Sequence, residues 1–215
     1  MITWVVGMMG VWITTLQGIS WSIDTGNVDT GSVEAQEEVV VEAPSLLDDD
    51  EFISAVKWMH ARGLTTYADA KDFRGEDILT REEAAKFFTQ FSMNVLLRII
   101  DMTKYCEFDD LEDADPTLRN ALLQSCLLHL FHGSNGKFFP QQQLTKAQAL
   151  TVLIRALEGN QPEDVEPRWH YYHIRAKELG LTKETNELAL DNPVSRYEIA
   201  LLLARAADMR TKQQK

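Results

Sequence analysis

Three short runs in this chain place a cation between a hydroxyl-bearing residue and, two positions later, an acid or amide. They are Thr80-Arg81-Glu82-Glu83, Thr145-Lys146-Ala147-Gln148 and Ser195-Arg196-Tyr197-Glu198. Each has the form of a capping box, in which the hydroxyl and the acid or amide side chain satisfy orphan amides at a helix start. A cation at the first helical position opposes the macrodipole and should cost a few tenths of a kcal/mol. Its threefold recurrence therefore invites a chemical reading: helix-terminal amides and a guanidinium together form an anion site. Arg81 and Arg196 suit a carboxylate better than Lys146, whose ammonium lacks the planar fork. The competing reading is a solvated charge or an ion pair with a nearby acid. Trp58 and Trp169 supply flat apolar faces, either for the apolar side of a pyranose or for core packing. Trp58 falls out of phase with the Phe52, Val56, Met59 stripe, which places it toward the surface.

Cys106 and Cys126 are the only cysteines. Their even count favours a disulfide in an oxidising compartment, and two buried free thiols in a reducing one. His129-x-x-His132 and His170-x-x-His173 have a spacing that can bridge a metal on a helix, but no third ligand follows at a telling distance. They read as surface or boundary histidines, and no metal or cofactor is expected. Asp24-Thr25-Gly26 and Asp29-Thr30-Gly31 echo an aspartic-protease signature, but two copies five residues apart cannot face each other across a large β scaffold. No phosphate loop, zinc-protease motif or nucleophile elbow occurs, and the acids show no acid/base pairing. The chain reads as non-catalytic.

The elements that would position these groups are helical. Phe52, Ile53, Val56 and Met59 form an apolar stripe after Asp48-Asp49-Asp50, and Gly63 ends it. Ala84, Phe87, Phe88 and Phe91 line a helix entered at Thr80, with a pattern running toward Ile100. Asp115-Pro116 reads as a cap and first position for a helix carrying Leu118, Ala121, Leu122, Ser125 and Leu128. Leu150, Leu153, Ile154 and Leu157 follow the second box, and Gly159 stops that helix. A third unit starts near Pro167, runs through Trp169, Tyr172, Ile174 and Leu179 to Gly180, and leads to the third box and to Ile199, Leu202, Leu203 and Ala206. Three boxes, each one connector beyond a short apolar helix, constitute an internal repeat, imperfect because the caps stand 65 and 50 residues apart. The predicted fold is all-α, with helix pairs on a shared core.

The 215 residues carry a net charge of −12, with 33 acids against 21 bases, which argues against a nucleic-acid binder. Ten of the acids lie in residues 22–51, where no Lys or Arg occurs, so the rest of the chain is nearly neutral. Residues 21–47 read as a disordered, self-repelling acidic linker, with Val39-Val40-Val41 as an unpartnered short strand. Residues 1–19 are uncharged and apolar, and Gly18-Ile19-Ser20 suits cleavage before Trp21. Residues 1–20 are thus expected to be a signal peptide or, if uncleaved, a membrane anchor. Either implies export.

The three units resemble S-layer homology domains. The boxes match that family's Thr-Arg-Ala-Glu-like motif, Phe108-Asp109-Asp110 its opening turn, and Gly133-Ser134-Asn135-Gly136-Lys137-Phe138-Phe139-Pro140 its loop. The likeness spans about residues 50–210 and is loosest in the third unit, whose loop lacks the usual aromatic and Pro. The resemblance implies three repeats, at 48–104, 105–160 and 161–210, arranged as a pseudo-threefold bundle. It also implies attachment of an exported bacterial protein to cell-wall polysaccharide, often acidic and pyruvylated, with other surface-layer proteins as further partners. Arg81, Arg196, Lys146, Trp58 and Trp169 are then the candidate glycan-binding residues. A protein-interaction module that kept the fold and lost its glycan sites is the alternative.

Overall fold

The computed structural model describes residue 46, residues 49–160 and residues 168–213. The apolar segment 1–20, the Asp-Thr-Gly pair and Val39-Val40-Val41 lie outside the described residues. Every regular element among the described residues is helical: α1 (Asp50–Ala61), α2 (Ala70–Phe73), α3 (Arg81–Asn94), α4 (Arg119–Leu127), α5 (Lys146–Glu158), α6 (Arg168–Glu178) and α7 (Arg196–Gln213). Short 3-10 turns occupy Leu111–Asp113 and Glu187–Asp191. No helix among the described residues is long and apolar enough to cross a membrane.

The helix starts follow from side-chain chemistry. Asp49 caps α1 by accepting from the amides of Glu51 and Phe52. Thr80 with Glu83, and Thr145 with Gln148, form complete capping boxes on α3 and α5. Ser195 and Glu198 exchange the same two bonds at the start of α7. The apolar stripes face one core, in which Phe52, Phe73, Phe88, Phe91, Phe131 and Phe138 are almost completely buried.

Several boundaries differ from the sequence reading. α3 ends at Asn94 rather than running to Ile100, and the chain beyond turns sharply, with Leu97 at φ 55°. Asp115 does not cap a helix; its carboxylate accepts from the Thr117 amide and hydroxyl, forming a turn that delays α4 to Arg119. The α6 stripe is rotated from the expected one: Tyr172, His173 and Ala176 are buried, whereas Ile174 is 43% exposed.

The most extensive helix contacts are α1 with α7, α3 with α4, and α5 with α6. The two long helices of one sequence unit therefore do not pair chiefly with each other. The second helix of each unit packs on the first helix of the next, and α7 returns to α1. The connectors interlock at the centre. The Leu79 amide donates to the Val194 carbonyl (3.1 Å), Val194 to Leu144 (2.8 Å) and Leu144 to Leu79 (3.0 Å), closing a ring of three bonds. Leu79, Leu144 and Val194 are each no more than 1% exposed. A second set surrounds it: Arg81 donates its amide to Gln142, Lys146 to Asn192 and Arg196 to Asp77, at 2.8–3.0 Å. Backbone groups at these buried helix starts are thus paired between units rather than left orphaned. Gly75 sits where α7 meets the first unit: a Cβ there would lie 2.7 Å from the Phe52 ring, while its carbonyl accepts from the Tyr197 amide.

Candidate functional site

The three boxed cations stand at the three junctions of this ring, each directed at the following unit. Their surroundings differ. Arg81 donates from Nε to the Phe138 carbonyl (3.0 Å) and from Nη2 to the His132 carbonyl (3.4 Å). Its guanidinium lies over the rings of Phe131 and Phe138, 5.3 and 5.1 Å from their centroids. Arg196 is held alike: Nε donates to the Phe73 carbonyl (2.8 Å), and Tyr67, Phe73 and Phe87 form a cage with centroids 4.7–5.6 Å away. Phe73 and Phe138 occupy the same place, seven residues before each box. The third unit has Leu188 there, 82% exposed, and Lys146 enters no such cage. Its ammonium instead pairs with Glu198 at 2.6 Å.

The acid at the third helical position decides how each cation is neutralised. Glu198 of the third unit meets Lys146 of the second, and Glu83 of the first lies 4.0 Å from Arg196 of the third. The corresponding position facing Arg81 is Gln148, which has no charge. Among the described residues no carboxylate lies within 4 Å of the Arg81 guanidinium. Burial pulls the pKa of Arg81 below the usual arginine range, and Asp110 opposes this from farther away. Asp110 is itself committed, accepting from the amides of Phe138 and Phe139 at 2.7 and 2.8 Å. Arg196 is likewise lowered by burial, with Glu83 offsetting part of it.

Arg196 is not a solvated charge at its helix start; it is 7% exposed, because its aliphatic stem and guanidinium fill an aromatic cage between α7 and the first unit. Arg81 and Lys146 are half-buried. The tryptophans are not gathered at the boxes. Trp58 lies against Phe91 near the far end of α3, ring centroids 6.4 Å apart, and Trp169 is half-buried at the start of α6 beside His170. The roles of Phe73, Phe138, Glu83, Glu198 and Gln148 were not apparent from the sequence. The available signal was the position two residues after each cation, which reads first as a helix cap.

Cys106 and Cys126 are joined in a disulfide that ties the segment before Phe108 to α4. Of the histidines, His173 is buried rather than at the surface, with Nε2 3.1 Å from the Glu184 carbonyl. His129 bridges Asp101 and Lys104. Among the described residues no group of three or more His, Cys, Asp or Glu converges as a metal site.

No family model matches the chain. It is 32% identical over 168 residues to a protein of Thermoanaerobacter kivui named "Cell surface protein", a match that covers 75% of this chain. The match covers 21% of that relative, so the chain corresponds to about a fifth of its length.

Proposed function

We propose that this chain is a non-catalytic cell-surface module of the S-layer homology type, which binds acidic cell-wall polysaccharide through Arg81. The surface role draws on the name of the relative, and export on the apolar N-terminal segment and the disulfide. Support for a pseudo-threefold arrangement comes from the closed ring of Leu79, Leu144 and Val194 and from the cyclic packing of α1 on α7, α3 on α4 and α5 on α6.

One observation carries the choice of Arg81. It is the one boxed cation with no carboxylate within 4 Å among the described residues, because Gln148 stands where the other junctions present Glu83 or Glu198. Nε and Nη2 are held by carbonyls, and among the described residues no hydrogen bond occupies Nη1. A sugar carboxylate can take the place that the internal acid holds elsewhere. Rings and carbonyls already fix the guanidinium, so little side-chain entropy remains to be lost on binding. Lys146 and Arg196, each answered by an internal acid, are the weaker sites.

The reading is tested by co-sedimentation with purified bacterial wall polysaccharide, native and with its carboxyl groups reduced to alcohols. Wild type is expected to sediment with the native polymer and far less with the reduced one, and Arg81→Gln to lose most of its binding. Equal binding of Arg81→Gln and wild type would overturn it. Closure of the Arg196 and Lys146 sites favours the second reading, a protein-interaction module that has lost glycan binding. That reading predicts no sedimentation with either polymer.

A further inference from the structure

Eight large apolar side chains are exposed among the described residues, and four of them fall within nine consecutive positions just after α3. Leu97, Ile99, Met102 and Tyr105 are 78–90% exposed. Single exposed apolar residues are ordinary, whereas a cluster marks a contact surface.

The segment that carries them is fixed from its inner side. Exposed and inward residues alternate from Leu97 to Ile100. Arg98 turns inward, and its Nη1 donates to the carbonyls of Arg155 (3.0 Å) and Ala156 (3.3 Å) near the end of α5. Ile100 packs against the core. The Asp101 amide donates to the Leu127 carbonyl (3.2 Å), and its carboxylate lies 3.2 Å from His129 Nε2. Cys106 closes the segment through its disulfide to Cys126 of α4. Leu97 stands at φ 55°, a conformation that leucine rarely adopts, and the next amide, that of Arg98, is held by the Ser92 carbonyl at 2.9 Å. The inward contacts thus go to Arg98, Ile100 and Asp101, while four apolar side chains are left outside. A backbone so held has little freedom to lose on association.

Charge indicates which partner fits. Arg98 and Lys104 are matched in number by Asp101 and Glu107, and the chain outside residues 22–51 is nearly neutral. A surface of anionic lipid head groups gains no net attraction from such a patch. A second copy meets little repulsion there and offers both signs. Within one copy Lys104 lies against His129 (2.9 Å) and Glu107 accepts from the Tyr105 hydroxyl (3.0 Å), so neither has an opposite charge as its partner among the described residues. Across a two-fold axis Lys104 of each copy can face Glu107 of the other. At about 100–200 Å² for each side chain, the four offer roughly 500 Å² per copy. Two copies then bury about 1,000 Å², the lower limit for a specific interface. The apolar surface also continues along Val95, Leu96 and Leu97 into the hollow between α1 and α7.

We infer that residues 97–105 are a self-association surface, through which two copies of this chain form a weak, reversible two-fold dimer. Arg81 opens α3 and the patch follows its end, so the 14 residues of α3 keep the two about 20 Å apart. The dimer is therefore independent of polysaccharide binding.

The test is sedimentation equilibrium of the full chain, disulfide intact, with methionine methyl groups carrying carbon-13. Monomer and dimer are expected to exchange with a Kd on the order of 10–100 μM. The Met102 methyl signal, assigned through Met102→Leu, should shift with protein concentration along the same isotherm, while that of the buried Met59 stays still. Leu97→Asn with Ile99→Ser removes two of the four apolar groups, and asparagine tolerates the left-handed backbone at 97. This variant should weaken the dimer roughly tenfold or more with an unchanged melting curve. A chain that stays monomeric up to about 500 μM, well above that range, overturns the inference. So does a Met102 signal that does not move with concentration in the wild type. Association that survives the double variant, as contact through the apolar residues 1–19 would, also overturns it. Assembly that grows past the dimer refutes the two-fold contact. A Met102 shift produced only by vesicles of equimolar phosphatidylethanolamine and phosphatidylglycerol would assign the patch to lipid instead.

Discussion

Gln148→Glu restores the internal acid that the other two junctions possess. The change keeps the capping box, because the Gln148 side chain already accepts from the Thr145 amide at 3.3 Å and a carboxylate oxygen can replace the amide oxygen. It adds a negative charge in the first turn of α5, worth about 0.3–1 kcal/mol against the helix dipole. It also brings an acid toward Arg81, as Glu198 approaches Lys146 and Glu83 approaches Arg196. A partly exposed pair adds about 0.2–1 kcal/mol. The variant should therefore be more stable by about 1 kcal/mol, which corresponds to a rise in Tm of roughly 3 °C for a domain of this size. An external carboxylate must then displace the new internal pair, so affinity for acidic wall polymer should fall about fivefold, the equivalent of ~1 kcal/mol. Differential scanning calorimetry and co-sedimentation measure the two effects on one sample. A gain in stability without a loss of binding would refute Arg81 as the ligand contact. An unchanged or lowered Tm would refute the equivalence of the three junctions.

Arg196→Ala is expected to behave as a core mutation, losing the charged bond to the Phe73 carbonyl and the packing of three rings, at a cost of about 2–3 kcal/mol in chemical denaturation. Arg81→Gln, at a half-buried site, should cost less stability and more binding. Reduction of Cys106–Cys126 releases a cross-link spanning 20 residues and should destabilise the protein by about 3 kcal/mol; a 2 Da mass deficit and resistance to alkylation before reduction would report the bridge. Tyr197 donates to Asp49 (2.6 Å), which pushes its pKa up to about 12 and lowers that of Asp49. A raised tyrosine pKa means stability fully present below the unfolded value near 10 and lost as pH rises toward 12. A lowered aspartate means stability present above about pH 4 and lost as pH falls through the folded value. Tyr197→Phe should flatten both limbs of the Tm–pH curve.

The local scale of this protein is legible in its sequence. Asp49, Thr80 and Thr145 start helices because their side-chain oxygens answer amides a few residues away, and Gly159 ends one as expected. The stripe from Ala84 to Phe91 faces the core because only that face of α3 is apolar. The same logic failed where a short-range competitor was overlooked: Asp115 spends its carboxylate on Thr117, and the helix pattern toward Ile100 is cut after Asn94. The choice between a disulfide and two free thiols also needed three dimensions, since a separation of 20 residues does not say whether two sulfurs meet.

Sequence by itself determined the helical class, the three boxed starts and the excess of acid in residues 22–51, because each is read from composition or from neighbours within a few residues. Tertiary structure decided which helix packs on which, and hence what each cation meets. In sequence Arg81, Lys146 and Arg196 are near equivalents. In the fold each is answered by the unit that follows it around the ring, so Glu83 meets Arg196 across more than a hundred residues and Glu198 meets Lys146 across about fifty. Ion pairing falls steeply with distance in space and takes no account of distance along the chain. The one junction that carries Gln148 instead of an acid therefore became visible only when the ring was closed.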